Sequence, residues 1–274
     1  MTHQRSLTIS WALAVSCLAS VGGSTAVEGQ SSVASRIEAV QNGTVRLTYA
    51  AGAGVCGNGS SWYRSRDGRS GTFYGSWNGS TSAREIENTC EQGPVRVVIV
   101  REQGDSKAIR MYVGGRWRPD TGITDLGNVS AVDAGAWLLR QAERGPTKIA
   151  RSALQAAILG DSIQAGQVLL RIARDESRPQ DVRNSAVNWL GEMVGERVSA
   201  TLDSIAYEPG DRDIRRTAIF TLSRRPKEEA IPALQKMAET LPDRELRRTA
   251  IMALAQTRDT QAIAWLERRL GQGR

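Results

Sequence analysis

Asp181-Val182-Arg183-Asn184-Ser185-Ala186-Val187, Asp213-Ile214-Arg215-Arg216-Thr217-Ala218-Ile219 and Glu245-Leu246-Arg247-Arg248-Thr249-Ala250-Ile251 are one seven-residue phrase written three times, 32 residues apart. Leu190, Leu222 and Leu254 extend the register, and each unit continues with Val198, Ala230 and Ala262, then Leu202, Leu234 and Leu266. The spacing i, i+4, i+8 (Val182, Ala186, Leu190) puts one apolar stripe on a helix, and the small alanine at its centre lets neighbouring helices approach. Each unit therefore reads as a helix pair. A more degenerate unit precedes these, with Ile149, Ser152, Ala153 and Leu154 in its first helix and Ala165, Leu169, Ile172 and Ala173 in its second. One pair alone leaves its stripe half exposed, whereas stacked neighbours cover it, which predicts an open solenoid. Pro179, Pro209 and Pro242 fall between units, where helices must stop.

The pattern D-[VI]-R-x-[ST]-A-[VI]-x-x-L resembles the short bacterial HEAT repeats that also occur in phycobilin lyases. With Gly-Val-Cys56-Gly-Asn-Gly, Cys90-Glu-Gln-Gly-Pro-Val-Arg-Val and Tyr112-Val-Gly-Gly-Arg-Trp117 ahead of the repeats, the whole chain resembles secreted bacterial HEAT-repeat proteins. The resemblance implies a superhelical scaffold that binds other proteins; the chromophore-attaching members are a minority, and fold alone does not give function. The expected fold class is α+β multidomain: a small disulfide-linked β-rich domain, then an all-α HEAT-like solenoid of about four helix pairs. The expected boundaries are a signal peptide over 1–26, a β-rich, Gly-rich domain over 36–125, a linking and capping helix over 126–145, and repeats over 146–274.

The chain opens with Arg5, an apolar run from Leu7 to Val21 and small residues at Ser24 and Ala26, the pattern of a cleaved secretory signal. Roughly 15 residues interrupted by serines are short of the ~20 that a spanning helix needs. Ala14-Val15-Ser16-Cys17 loosely resembles a lipobox, which makes a lipoprotein at Cys17 the minor alternative. No later run is apolar for long enough to span, so the mature chain is expected to be periplasmic or secreted, with no transmembrane segment.

Past residue 26 two cysteines remain, Cys56 and Cys90, an even count in an oxidising compartment. One disulfide is expected, with two free buried thiols as the alternative. His3 is the only histidine, so Ser-His-Asp and Cys-His catalysis and His-ligated metals are all excluded from the mature chain. No metal, cofactor or catalytic residue is expected, and a lyase-like enzyme is the least favoured reading.

Strands are expected over 44–51, 72–77, 94–101 and 107–113, separated by Asn42-Gly43, Asp67-Gly68, Asn78-Gly79 and Gly104-Asp105 turns. Gly52-Ala53-Gly54-Val55-Cys56-Gly57 matches the dinucleotide fingerprint in letters only, because no apolar helical period follows it. Trp62, Trp77 and Trp117 interleave with arginines and suggest either an aromatic surface for cell-wall glycan or packing of a thin core, with packing favoured. Ser130, followed by Asp133, resembles a helix-opening cap for a helix that buries Trp137 and Leu138.

The net charge of +7 points to nucleic acid, an anionic surface or solubility alone, and export removes the usual nucleic-acid target. Arg183, Arg215 and Arg247 share one repeat position and Arg216 and Arg248 the next. Stacked, they would form a stripe suited to carboxylates of a partner. The competing reading is structural, with Asp181, Asp213 and Glu245 favouring the helix dipole and pairing with arginines of neighbouring units. The expected function is a non-enzymatic interaction scaffold that binds a protein partner through the repeat face, with a glycan-binding β domain as the alternative; nothing in the sequence fixes the oligomeric state.

Overall fold

The computed structural model describes residues 32–65, 71–74, 90–193 and 197–271. A short helix, α1 (Val33–Glu38), opens the described chain, held at its start by Ser32 Oγ, which accepts from Ser35 N at 3.1 Å. Among the described residues seven strands follow: β1 (Gly43–Tyr49), β2 (Val55–Gly57), β3 (Trp62–Ser65), β4 (Gly71–Tyr74), β5 (Val95–Glu102), β6 (Asp105–Val113) and β7 (Ile123–Asn128). They form a four-stranded sheet in the order β6-β5-β1-β7 and a three-stranded sheet in the order β2-β3-β4. β1 pairs antiparallel with β5 and parallel with β7.

β7 was not legible as a strand: Ile-Thr-Asp-Leu-Gly-Asn has one buried side chain, Leu126, and is held as the parallel neighbour of β1. It crosses the expected boundary at 125/126, and α1 crosses the one at residue 36. Alternation explains the main sheet. Val45, Leu47 and Tyr49 on β1 and Val95, Val97 and Ile99 on β5 turn to one side and are buried, while Arg46, Thr48, Arg96 and Val98 turn to the other.

Cys56 and Cys90 form the expected disulfide, joining β2 to the lead-in of β5. Backbone packing there is close: Gly114 has φ +65°, and a Cβ on it would stand 2.4 Å from the carbonyl oxygen of Gly57.

Among the described residues nine helices follow: α2 (Ala131–Arg144), α3 (Thr147–Ile158), α4 (Gly166–Arg174), α5 (Gln180–Gly191), α6 (Arg197–Tyr207), α7 (Arg212–Leu222), α8 (Lys227–Thr240), α9 (Arg244–Gln256) and α10 (Thr260–Gly271). The last eight form the four pairs that the period demands. The predicted cap on α2 is present, Ser130 Oγ accepting from Asp133 N at 3.3 Å, and Trp137 and Leu138 are buried. Asp211 and Asp243 cap α7 and α9 in the same way.

Val182, Ala186 and Leu190 and their equivalents Ile214, Ala218, Leu222, Leu246, Ala250 and Leu254 are all buried, so the stripe read from the sequence is the seam between helices. The first helices α3, α5, α7 and α9 lie side by side as one layer. On the last helix Arg269 is exposed at the position where earlier units bury Ile205 and Met237.

The β region and the repeats share a single core. The bend after β1 pairs with the end of α3 as backbone: Gly52 N donates to Leu159 O at 2.8 Å and Asp161 N to Ala50 O at 2.9 Å. Tyr49, 2% exposed, donates its hydroxyl to Ala156 O at 2.7 Å. Trp62 stacks on Trp189 of α5, with ring centroids 6.5 Å apart. Arg64 Nη1 reaches Ile158 O at 3.2 Å.

Candidate interaction surface

Arginine is used in two ways along the repeats, and neighbouring positions divide the roles. Arg183 is 6% exposed; its Nε donates to Ala173 O at the end of α4, and its Nη1 to Asp211 Oδ2 at 3.0 Å. Arg215 Nε donates to Ala206 O near the end of α6 at 2.9 Å. Arg247 Nη1 donates to Leu241 O and to Pro242 O just past α8. In each of the three units that carry it, this arginine therefore donates to carbonyls at or just past the end of the preceding helix, where unpaired C=O groups concentrate negative charge.

Three of the five arginines named as a partner-facing stripe thus turn inward. Arg216 and Arg248 remain exposed, Arg216 within 2.9 Å of Asp213 on its own helix, a pairing that solvent keeps weak. The carboxylates at the head of each unit behave as the structural reading expects in part. Asp181 lies 3.7 Å from Arg151 of the preceding unit, and Asp213 accepts from Gln180 at 2.7 Å.

Of the aromatic candidates, Trp62 is 5% exposed and belongs to the core, because its partner Trp189, distant in sequence, covers it. Trp117 is half-buried, its Nε1 donating to Thr48 Oγ1 at 3.1 Å. Trp77 lies outside the described residues.

The outward edge of the first-helix layer carries a groove, two adjoining clefts of about 700 and 430 Å³ that share Asn188 and Arg224. Its walls hold three cations, Lys148, Arg151 and Arg224, against one carboxylate, Glu192. Cross-helix hydrogen bonds fix its floor: Thr217 donates to Asn184 at 2.7 Å and Thr221 to Asn188 at 3.1 Å.

At the repeat position that Gln155 and Asn188 hold in the earlier units the groove is lined by Phe220, and Met252 holds the same position in the last unit. Met252 is 50% exposed, so a large apolar side chain stands on the surface one turn after exposed Arg248. Apolar and aromatic anchors beside arginine are the composition of protein-binding hot spots. Sequence reading did not single out Phe220 or Met252. Their spacing one residue past Ile219 and Ile251 is the signal that places them on the outer edge.

Fold and groove together define an α-solenoid of HEAT-like helix pairs bearing a disulfide-stapled β region. A model of HEAT repeats matches residues 204–274, the last turn of α6 and the two helix pairs after it. HEAT repeats are generally protein-interaction scaffolds rather than catalysts. No curated protein matches the chain.

Proposed function

We propose that this protein is a scaffold that binds an acidic, extended segment of a protein partner along its first-helix groove, in an oxidising compartment outside the cytoplasm. The observation that carries the reading is the groove itself: a continuous track over α3, α5, α7 and α9, with cations in excess and an apolar anchor near its end. Carboxylates spaced along a strand-like peptide would meet Arg151, Arg216, Arg224 and Arg248 in turn, while Phe220 and Met252 take an apolar side chain. The signal-like pattern of the sequence over 1–26 and the Cys56–Cys90 disulfide support the compartment, since such cross-links persist where thiols are not kept reduced.

Charge reversal tests the groove. Arg216→Glu with Arg248→Glu should leave the fold intact, because both side chains are exposed, and should weaken binding of a labelled Glu/Asp-rich peptide by about 30-fold or more, at ~1 kcal/mol per lost contact and repulsion besides. Unchanged affinity in the folded double variant would remove the groove from the account. Arg215 and Arg247 are poor choices for this test, since reversing them would break the caps on α6 and α8.

A further inference from the structure

The outer side of the four-stranded sheet holds a cation that the repeat groove does not explain. Arg96 on β5 sits between Thr48 of β1 and Tyr112 of β6 in the sheet register, with Arg46, Val98 and Arg110 forming the next row. The loop after β6 folds Trp117 over this row, so that the Arg96 guanidinium lies 4.7 Å from the Trp117 ring centroid and 5.6 Å from that of Tyr112. Gly59 and Gly115 pass beside its tip, and a Cβ on either would come within 3.2 Å or 3.0 Å of Nη2.

Arg96 is 6% exposed, yet among the described residues no carboxylate and no hydrogen-bond acceptor meets its guanidinium, and its Nε is fully shielded without a partner. Its neighbour Arg46 is paired with Asp125 at 2.8 Å, and Arg110 is exposed. Burial pushes the Arg96 pKa down from its ordinary value, the direction expected of a charge that lacks compensation. Two aromatic faces offset part of the cost of burying a guanidinium, but they accept none of its five N–H groups. The other buried arginines among the described residues, Arg101, Arg183 and Arg225, donate to backbone carbonyls.

We propose that Arg96 anchors an oxyanion site on the outer face of the sheet, taking a carboxylate, sulfate or phosphate group on its guanidinium, with Tyr112 and Trp117 as walls and Arg110 as a second cation. A planar fork of N–H donors with no internal acceptor suits two oxygens of one anionic group. The stacked rings hold the fork in place before the ligand arrives, and the two glycines let their loops lie beside Nη2 with no side chain pressing on it.

The site is independent of the repeat groove and is tested on the full mature chain. Tryptophan fluorescence and thermal stability would be followed while acetate, sulfate or phosphate is added at constant ionic strength, and again with a blocked short peptide bearing a free or an amidated C-terminus. A saturable change with any free ion supports a site for the ion itself. A change only with the free-carboxylate peptide supports the same site with the oxyanion carried on a chain. Arg96→Gln should abolish the response, Arg96→Lys should weaken it about tenfold by losing the fork, and Arg110→Gln should weaken it about threefold as a more distant charge. The Arg110 variant keeps the test valid if Arg96 variants fold poorly. No saturable response in the wild-type chain, or an equal response in a folded Arg96→Gln chain, would overturn the proposal.

Discussion

At the scale of the residue, the repeats show two arginines one position apart with opposite duties, and stability separates them. Arg183→Met leaves Ala173 O and Asp211 without their donor; breaking a buried pair costs about 3–5 kcal/mol, discounted here to roughly 2–3 because Asp211 is partly exposed. Arg216→Ala, by contrast, should change stability by less than about 0.5 kcal/mol. Urea unfolding of the two variants measures both, and equal losses would contradict the division. The period showed that these arginines recur but not which way they face, because a position at the edge of the apolar stripe points as readily to the preceding helix end as to water. Arg96 was visible in the alternation Val95-Arg96-Val97, where it marks the outer face; its isolation from any acceptor among the described residues depends on Trp117 and two glycine loops that no local pattern brings together.

At the scale of the element, the helix pairs were legible because one stripe repeats with caps and prolines at fixed offsets, whereas the β region depends on contacts distant in sequence. Gly-rich strands carry little local preference, and β7 has only a parallel partner to hold it. The disulfide acts on this weakness. It closes a loop of 34-residue separation between β2 and β5, and Cys56→Ser with Cys90→Ser should cost roughly 3–4 kcal/mol in chemical denaturation by the chain-entropy argument. A loss below about 1 kcal/mol would mean that the reduced β region holds itself.

Element ends also set the pH response. Asp125 is held below its ordinary pKa by the Gly127 N–H and by Arg46, Glu208 by Arg174 and Ser204, and Asp259 by the Gln261 N–H and Lys227. A depressed carboxylate contributes its stability fully above the unfolded value, near 4, and loses it as pH falls through the lower folded value. With His3 the sole histidine, melting temperature should stay flat from about pH 8 to 5 and fall below about 4. A midpoint of loss near pH 6 would contradict this.

At the scale of the whole molecule, the β region and the repeats are one cooperative body. Tyr49, the Ala51–Gly160 bridge and the Trp62–Trp189 stack tie the main sheet and the small sheet to α3 and α5. Residues 32–271 should therefore unfold in one transition by circular dichroism and by tryptophan fluorescence; two separated midpoints would mean that the shared core does not couple them. This rigidity would let the β region fix the entrance of a groove that runs over α3 to α9. The most direct measurement of that central claim is site-specific photo-crosslinking in the source cells, with the reactive group at Met252 or Arg216 in the groove and, as a control, at exposed Lys236 on the second-helix layer. The account predicts a discrete adduct to an acidic segment of one protein from positions 252 and 216, lost with Arg248→Glu, and none from 236. The same adducts from all three positions, or an adduct from 236 alone, would contradict it.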